Sequence, residues 1–177
     1  LILKYSKKEI NKLFNKLLSY CNSISTPHKK EILKTINDHK FKIIRIPSIY
    51  ERYDFTGGFI VQLISILNLY SKVHKLYSYD YPRSVVGIIF KNIGLLDYFD
   101  VNNNCSISEK NKNSGFKLLG IKFTEKCFKT EDDTVSVIKN LIISDEKSQS
   151  NSINIINSLY DFDYQMNNFL NMHLLLK

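Results

Sequence analysis

The sequence FIVQLISILNLY, residues 59–70, decides the fold class of this chain. It is apolar on more than one face of a helix, and the segment that begins at Pro82 continues in the same way to Tyr98. Helices that are apolar on several faces lie at the centre of a helical domain. We therefore predict an all-α fold in which helices over about 59–76 and 82–98 are central and buried.

Shorter amphipathic helices are predicted before this central pair. Ser6 followed by Glu9 fits a capping box, and the apolar residues that follow it recur at the spacing of one helix face as far as Tyr20. Thr26 and Pro27 fit the start of a second helix, because Thr is a good N-cap residue and Pro is tolerated in the first helical turn. Both helices are expected to bury one face only.

The second half of the chain is predicted to contain a loop, an extended segment and more helices. Asn, Ser and charged residues dominate 101–114, which is typical of a surface loop. The short apolar segment 116–123 is centred on a glycine and is interpreted as a small β-hairpin or extended arm. Acidic residues at 131–133 favour a helix start, since negative charge is stabilised at a helix N-terminus. Further helices are predicted after Asp145 and over 162–176.

Composition and charge limit the class of protein. A chain of 177 residues with 44% hydrophobic and 24% charged residues fits one soluble domain over residues 1–177. Ala and Trp are absent while Lys, Asn and Ile are abundant, which indicates an AT-rich coding genome. The net charge of +8 is compatible with acidic partners. It is weak evidence for them by itself, because base composition alone supplies lysine.

Three further patterns exclude or suggest kinds of site. Cys21, Cys105 and Cys127 lack the spacing of a zinc site or a disulfide framework, so we expect reduced cysteines. No apolar run approaches the roughly 20 residues of a membrane span, so no membrane partner is expected. The first helix carries a basic residue at every fourth position, a stripe interpreted either as a solvated face or as a contact for a polyanion. The stripe comprises Lys4, Lys8, Lys12 and Lys16.

The segment before the central helix carries a family resemblance. Ile46-Pro47-Ser48 is followed by Arg52-Tyr53 and then by Gly57-Gly58. This order resembles the metal-dependent HD phosphohydrolases, especially a compact type common in phages and Firmicutes, in which a Pro-Ala-Ser start leads through a His-His pair to a Gly-Gly turn. The resemblance is clearest over residues 45–99 and implies an HD-domain-like helical bundle. It implies structural turn roles for Pro47, Gly57 and Gly58.

The same resemblance implies that the metal ligands have been lost. Gln62 stands where the family has its first histidine, and Lys91 and Asn92 stand where it has a His-Asp pair. Neutral amide oxygens supply no compensating negative charge, and an ammonium group has no lone pair to offer a cation. We therefore expect no metal, no other cofactor and no catalytic residue, which makes this chain a degenerate relative and not an enzyme.

Several functions are compatible with a degenerate HD-like domain. The leading expectation is a catalytically inactive module that binds protein partners or serves a structural role, in a viral or phage assembly or another large complex. An alternative is a metal-free sensor of a nucleotide or phosphorylated ligand, held by Arg52 and Lys91. A more distant one is a nucleic-acid-binding accessory protein that uses the basic first helix. We expect the cytoplasm of the producing or host cell, or a viral particle, as its location, and the oligomeric state stays open.

Overall fold

The computed structural model describes residues 5–76, 80–144 and 151–175 and, within them, the side chains of all but Leu76, residues 151 and 152, and residues 166–175. The α-helices are α1 (Lys7–Ser23), α2 (Lys29–Asp38), α3 (Lys40–Ile43), α4 (Gly58–Val73), α5 (Tyr81–Lys91), α6 (Leu95–Tyr98), α7 (Phe116–Cys127), α8 (Asp133–Ile143) and α9 (Asn151–Leu175). Single 3-10 turns cover Glu51–Tyr53 and His74–Leu76. Two short strands, β1 (Phe99–Asp100) and β2 (Ser106–Ile107), pair antiparallel. The predicted all-α class with one short hairpin is confirmed.

Helices α4 and α5 form the centre of the fold, as predicted. Helix α4 packs against α1, α5 and α9, and α5 also packs against α8. Every residue of α5 from Ser84 to Lys91 is buried. The continuous helix predicted as far as Tyr98 is interrupted after Lys91, and the chain resumes as the single turn α6. In the part of the chain that the structure describes, no helix combines the length and apolar character needed to cross a membrane.

The first two helices bury their apolar faces: α1 packs on α4 and α5, and α2 packs on α1 and α7. The predicted capping box of α1 is present: the Ser6 amide donates to Glu9 Oε2 at 2.7 Å and the Glu9 amide donates to Ser6 Oγ at 3.3 Å. The buried face of α1 consists of Ile10, Phe14, Leu17 and Cys21. Helix α2 begins at Lys29 with His28 as its N-cap, two residues later than the predicted cap Thr26. The start of α2 was therefore predicted too early, although its buried face was identified.

The β-hairpin or arm predicted over 116–123 is wrong, because this segment forms the first two turns of α7. Its central residue, Gly120, was interpreted as a turn glycine but is a packing glycine. A Cβ atom there would lie 3.2 Å from Ile142 Cγ2 on α8 and 3.5 Å from the Gly94 amide nitrogen. The hairpin instead lies at β1 and β2, of which β1 directly precedes the predicted surface loop 101–114 and β2 lies within it. Its turn includes two residues with positive φ, Asn104 and Cys105.

The last helix is longer than predicted. The sequence suggested separate helices after Asp145 and over 162–176, whereas the structure has one helix, α9, from Asn151 to Leu175. Asp145 and Leu176 lie outside the described residues. Helix α9 contacts both central helices, so its inward side forms part of the core.

The turn before α4 depends on its two glycines. Gly57 has φ of +84°, a backbone conformation that side-chain-bearing residues rarely adopt. Its amide donates to the Arg45 carbonyl at 3.0 Å, and the Ser48 amide donates to the Tyr53 carbonyl at 3.0 Å. A Cβ atom on Gly58 would overlap the Tyr53 carbonyl group. The buried residue Pro47 lies inside this closed loop, which therefore sets the position at which α4 starts.

We predict that Gly58→Ala lowers the free energy of unfolding by about 2–4 kcal/mol, because the new methyl group meets main-chain atoms that have no room to move. Gly87→Ala is the matched control. Its methyl group would lie 3.1 Å from Leu141 Cδ2 and 3.2 Å from Ile156 Cδ1, the flexible ends of side chains, and Ala also favours a helix. Urea unfolding followed by circular dichroism measures both. Equal stabilities of the two variants would contradict this account of the turn.

Candidate functional site

The three positions at which the resemblance places metal ligands are all buried. Gln62 in α4, Lys91 at the end of α5 and Asn92 after it expose only 3, 9 and 6% of their surface. Gln62 Oε1 accepts a hydrogen bond from Ser48 Oγ at 2.5 Å, so its side chain ties α4 to the loop before it. Asn92 is the C-cap residue of α5. These positions therefore lie in the interior of the helical core.

Lys91 connects three helices. Its ammonium group donates to Asn157 Oδ1 on α9 at 2.6 Å and lies 3.5 Å from the Leu141 carbonyl oxygen on α8. The same nitrogen lies 5.4 Å from the centre of the Tyr160 ring. A buried ammonium is stable only if nearby acceptors replace its lost hydration. The carbonyl and amide oxygens and the ring face supply that replacement.

Asp163 is a second buried charge, one that the sequence analysis did not single out as a site residue. Its Oδ1 atom accepts hydrogen bonds from Tyr53 Oη at 3.0 Å and from Ser65 Oγ at 3.2 Å. Tyr53 precedes α4 and Ser65 lies within it, so the carboxylate joins α9 to this part of the chain. We refer to Lys91, Asn157, Tyr160, Asp163, Tyr53 and Ser65 as the polar core cluster.

The pattern that produces this cluster is visible only along α9. Asn157, Tyr160 and Asp163 follow one another at intervals of three residues, which places them on adjacent positions of the same helix side. That side is otherwise apolar, with Ile153, Ile156 and Leu159 buried. Polar residues inside a buried apolar stripe are a signal of an internal hydrogen-bond network. Their partners lie up to 110 residues away in the sequence.

Burial favours the protonated form of several phenols and thiols of the protein. Burial, together with the nearby Asp163 charge, raises the pKa of Tyr53 to about 12. Burial likewise raises the pKa of Tyr160, and it raises the pKa of Cys21 to about 12. The pKa of Cys127 is raised by burial as well. A thiol or phenol in this state is a poor nucleophile at neutral pH, since the ionised form is the reactive one.

The structure gives Arg52 and Lys91 different surroundings. The Arg52 side chain is exposed, and its guanidinium carbon lies 5.6 Å from the centre of the Tyr53 ring. Lys91 is buried and is directed at α8 and α9. A shared anion site would need both cations to reach one solvent-accessible point. The contacts observed for Arg52 and Lys91 do not bring the two cations to one such point.

The lysine stripe of α1 lies on the solvent side, where the described part of it is fully exposed. Lys8, Lys12 and Lys16 project away from the buried face of the helix. Lys4 lies outside the described residues. The stripe is thus separate from the polar core cluster.

The donor atoms at the three positions that the resemblance equates with metal ligands do not suit a divalent cation. They are amide oxygens and one ammonium group, and the ammonium would repel a cation. Among the residues that the structure describes, no group of three or more His, Cys, Asp or Glu side chains could hold a metal ion. The chemistry of these residues is that of hydrogen bonding between helices.

We predict that Tyr53→Phe lowers the free energy of unfolding by about 1–3 kcal/mol, because Asp163 loses a buried donor to its carboxylate. Tyr164→Phe is the matched control on the exposed side of α9, and its effect should stay within about 0.5 kcal/mol. Chemical denaturation of both variants at pH 7 makes the comparison. Equal effects would show that the Tyr53 hydroxyl contributes nothing to stability.

The stabilising contribution of the Tyr53 hydroxyl should also depend on pH. The pKa of this group is about 12 in the folded protein against an ordinary value of 10.0. A raised folded-state pKa means that the contribution is complete below pH 10 and is lost as the pH rises through 12. The stability difference between the wild type and Tyr53→Phe should therefore shrink between pH 10 and 12. Denaturation curves measured across this interval test it, and a constant difference would contradict the assignment.

Comparison with known proteins adds no relative to this description. No family model, no curated protein and no solved structure matches this chain. Its function must therefore be inferred from the chain's own residues and their contacts.

Proposed function

We propose that this protein is a catalytically inactive, HD-domain-like helical module with a structural or protein-binding role. The observation that carries the proposal is the environment of Lys91. The Lys91 ammonium group occupies a position at which the resemblance expects a metal ligand, and it donates hydrogen bonds to Asn157 and to the Leu141 carbonyl. A position that supplies a fixed positive charge to the core is unsuited to holding a cation.

The protonation states of the buried groups support the same proposal. Catalytic nucleophiles and bases need a pKa close to the working pH. Here burial raises the pKa values of Tyr53, Tyr160 and Cys21, which moves them further above neutral pH and stabilises the unreactive protonated forms. Asp163 Oδ1 already accepts two hydrogen bonds, which hold α9 on α4 and on the turn before it.

A module of this kind acts through its fold and its surface. The composition of the chain and the family it resembles favour a place in a viral or phage assembly, in the cytoplasm of the infected cell or within the particle. Its partners would be other proteins of that assembly. Such a role requires a stable helical scaffold and places no demand on the chemistry of the core.

The proposal predicts that the purified protein contains no stoichiometric manganese, nickel or iron and releases no phosphate from nucleotides when these metals are added. Elemental analysis and a phosphate-release assay over a panel of nucleoside mono-, di- and triphosphates test it. An HD phosphohydrolase with intact ligands, run in parallel, is the positive control. Bound metal at one equivalent together with turnover would overturn the proposal.

The ligand-sensor alternative is tested by thermal unfolding with added ligand. A ligand present at 100 times its dissociation constant stabilises a protein by about 2.7 kcal/mol, which raises the melting temperature by several degrees. We expect no such shift with millimolar phosphate or nucleotides. A shift that Arg52→Gln abolishes would favour the sensor, because Arg52 is exposed and its replacement should leave the core intact.

A further inference from the structure

Helix α2 packs against α1 on one side and α7 on the other. The contacts with α7 run in opposite order along the two helices. His39, after the end of α2, packs its ring against Phe123, with centroids 5.0 Å apart, whereas Thr35 Oγ1 lies 2.9 Å from Cys127 Sγ and Glu31 also contacts Cys127. Later residues of α2 thus meet earlier residues of α7. The two helices are therefore antiparallel.

This arrangement brings lysines of α2 and α7 to one side of the groove between the helices. Lys30 and Lys34 each precede a contact residue on α2, and Lys122 and Lys126 each precede a contact residue on α7. One step along a helix is a rotation of about 100°. When two antiparallel helices are in contact, the residue just before a contact residue points, on both helices, to the same side of the plane that contains the two helix axes. All four lysines are exposed, so this is the outer side.

Helix α1 extends the same surface on the far side of α2. The ammonium of Lys29, one residue before Lys30, donates to the Asn22 carbonyl on α1 at 2.5 Å. The exposed lysines of α1 project away from the face that packs into the core. We call the resulting surface the basic face. It comprises Lys8, Lys12 and Lys16 of α1, Lys30 and Lys34 of α2, and Lys122 and Lys126 of α7.

The lysines of the basic face are not held in ion pairs in the described part of the chain, although Lys12 interacts electrostatically with Glu9. Within the described residues none of them forms an ion pair, whereas Lys42 pairs with Asp97, and Lys139 with Glu125 and Glu131. Lysines four residues apart on one helix repel each other. Rows on neighbouring packed helices are separated by roughly 8–10 Å, which is comparable to the Debye length at physiological salt. An external polyanion would relieve this repulsion.

We propose that the basic face binds the phosphate backbone of nucleic acid without sequence preference. The buried faces of α1 and α2 are committed to the core, so neither of these two helices has an apolar face free to insert into a membrane. The face is made of lysine side chains, which contact phosphates as point charges and read no base edges. This inference concerns the surface alone and is independent of whether the core is catalytically inactive.

Binding to a fluorescent 20-base-pair DNA duplex, measured by anisotropy from 50 to 200 mM salt, tests the proposal. The variant carries Lys30→Gln, Lys34→Gln, Lys122→Gln and Lys126→Gln. The control carries the same charge change elsewhere, at Lys72, Lys75, Lys110 and Lys112, which are exposed at the end of α4 and in the loop before α7. We expect the variant to bind at least about tenfold more weakly at 50 mM salt. Its dependence on log salt should flatten by about one unit for each lysine–phosphate pairing that the substitutions remove.

Three results would overturn the proposal. They are an absence of duplex binding by the wild type, an equal weakening in the variant and the control, and binding to vesicles of phosphatidylserine and phosphatidylcholine in preference to the duplex. Circular dichroism and melting temperature verify that both proteins are folded. If the fourfold variant is unfolded, the pairs Lys30→Gln/Lys34→Gln and Lys122→Gln/Lys126→Gln are measured separately, and each should weaken binding.

Discussion

Two charged side chains inside the core determine how α9 packs on the rest of the protein. Lys91 donates to Asn157, and Asp163 accepts from Tyr53 and Ser65. Neither charge is tolerated in an apolar interior unless its partners remain in place. A rotation or register shift of α9 would remove acceptors from the ammonium and donors from the carboxylate together. The polar core cluster therefore selects one packing of α9 against α4 and α5.

This constraint accounts for the polar residues at the positions where the resemblance expects metal ligands. Gln62 and Lys91 hold neighbouring segments together, and the phenols of Tyr53 and Tyr160 act as hydrogen-bond donors in their protonated forms. On this account the interior serves the fold. Interaction with other molecules then falls to the surface, where the proposed basic face brings together seven exposed lysines from three helices.

Local patterns in the sequence predicted the parts of the fold that depend on neighbouring residues. The capping box of Ser6 and Glu9 and the buried central helices follow from short stretches of sequence. Gly120 was misinterpreted because a glycine required for helix packing has the same local appearance as one required for a turn. Asp163 and the α2–α7 side of the basic face were missed because their partners are remote in the sequence.

The free energy of unfolding of Asp163→Ala tests the central claim most directly, because the claim gives this buried carboxylate a structural role. Residues retained for catalysis commonly reduce stability, so that replacing them stabilises the protein or leaves it unchanged. Our account predicts the opposite for Asp163→Ala: a loss of at least about 2 kcal/mol, since the buried Tyr53 hydroxyl and the half-buried Ser65 hydroxyl lose their acceptor. A variant as stable as the wild type, or more stable, would contradict it.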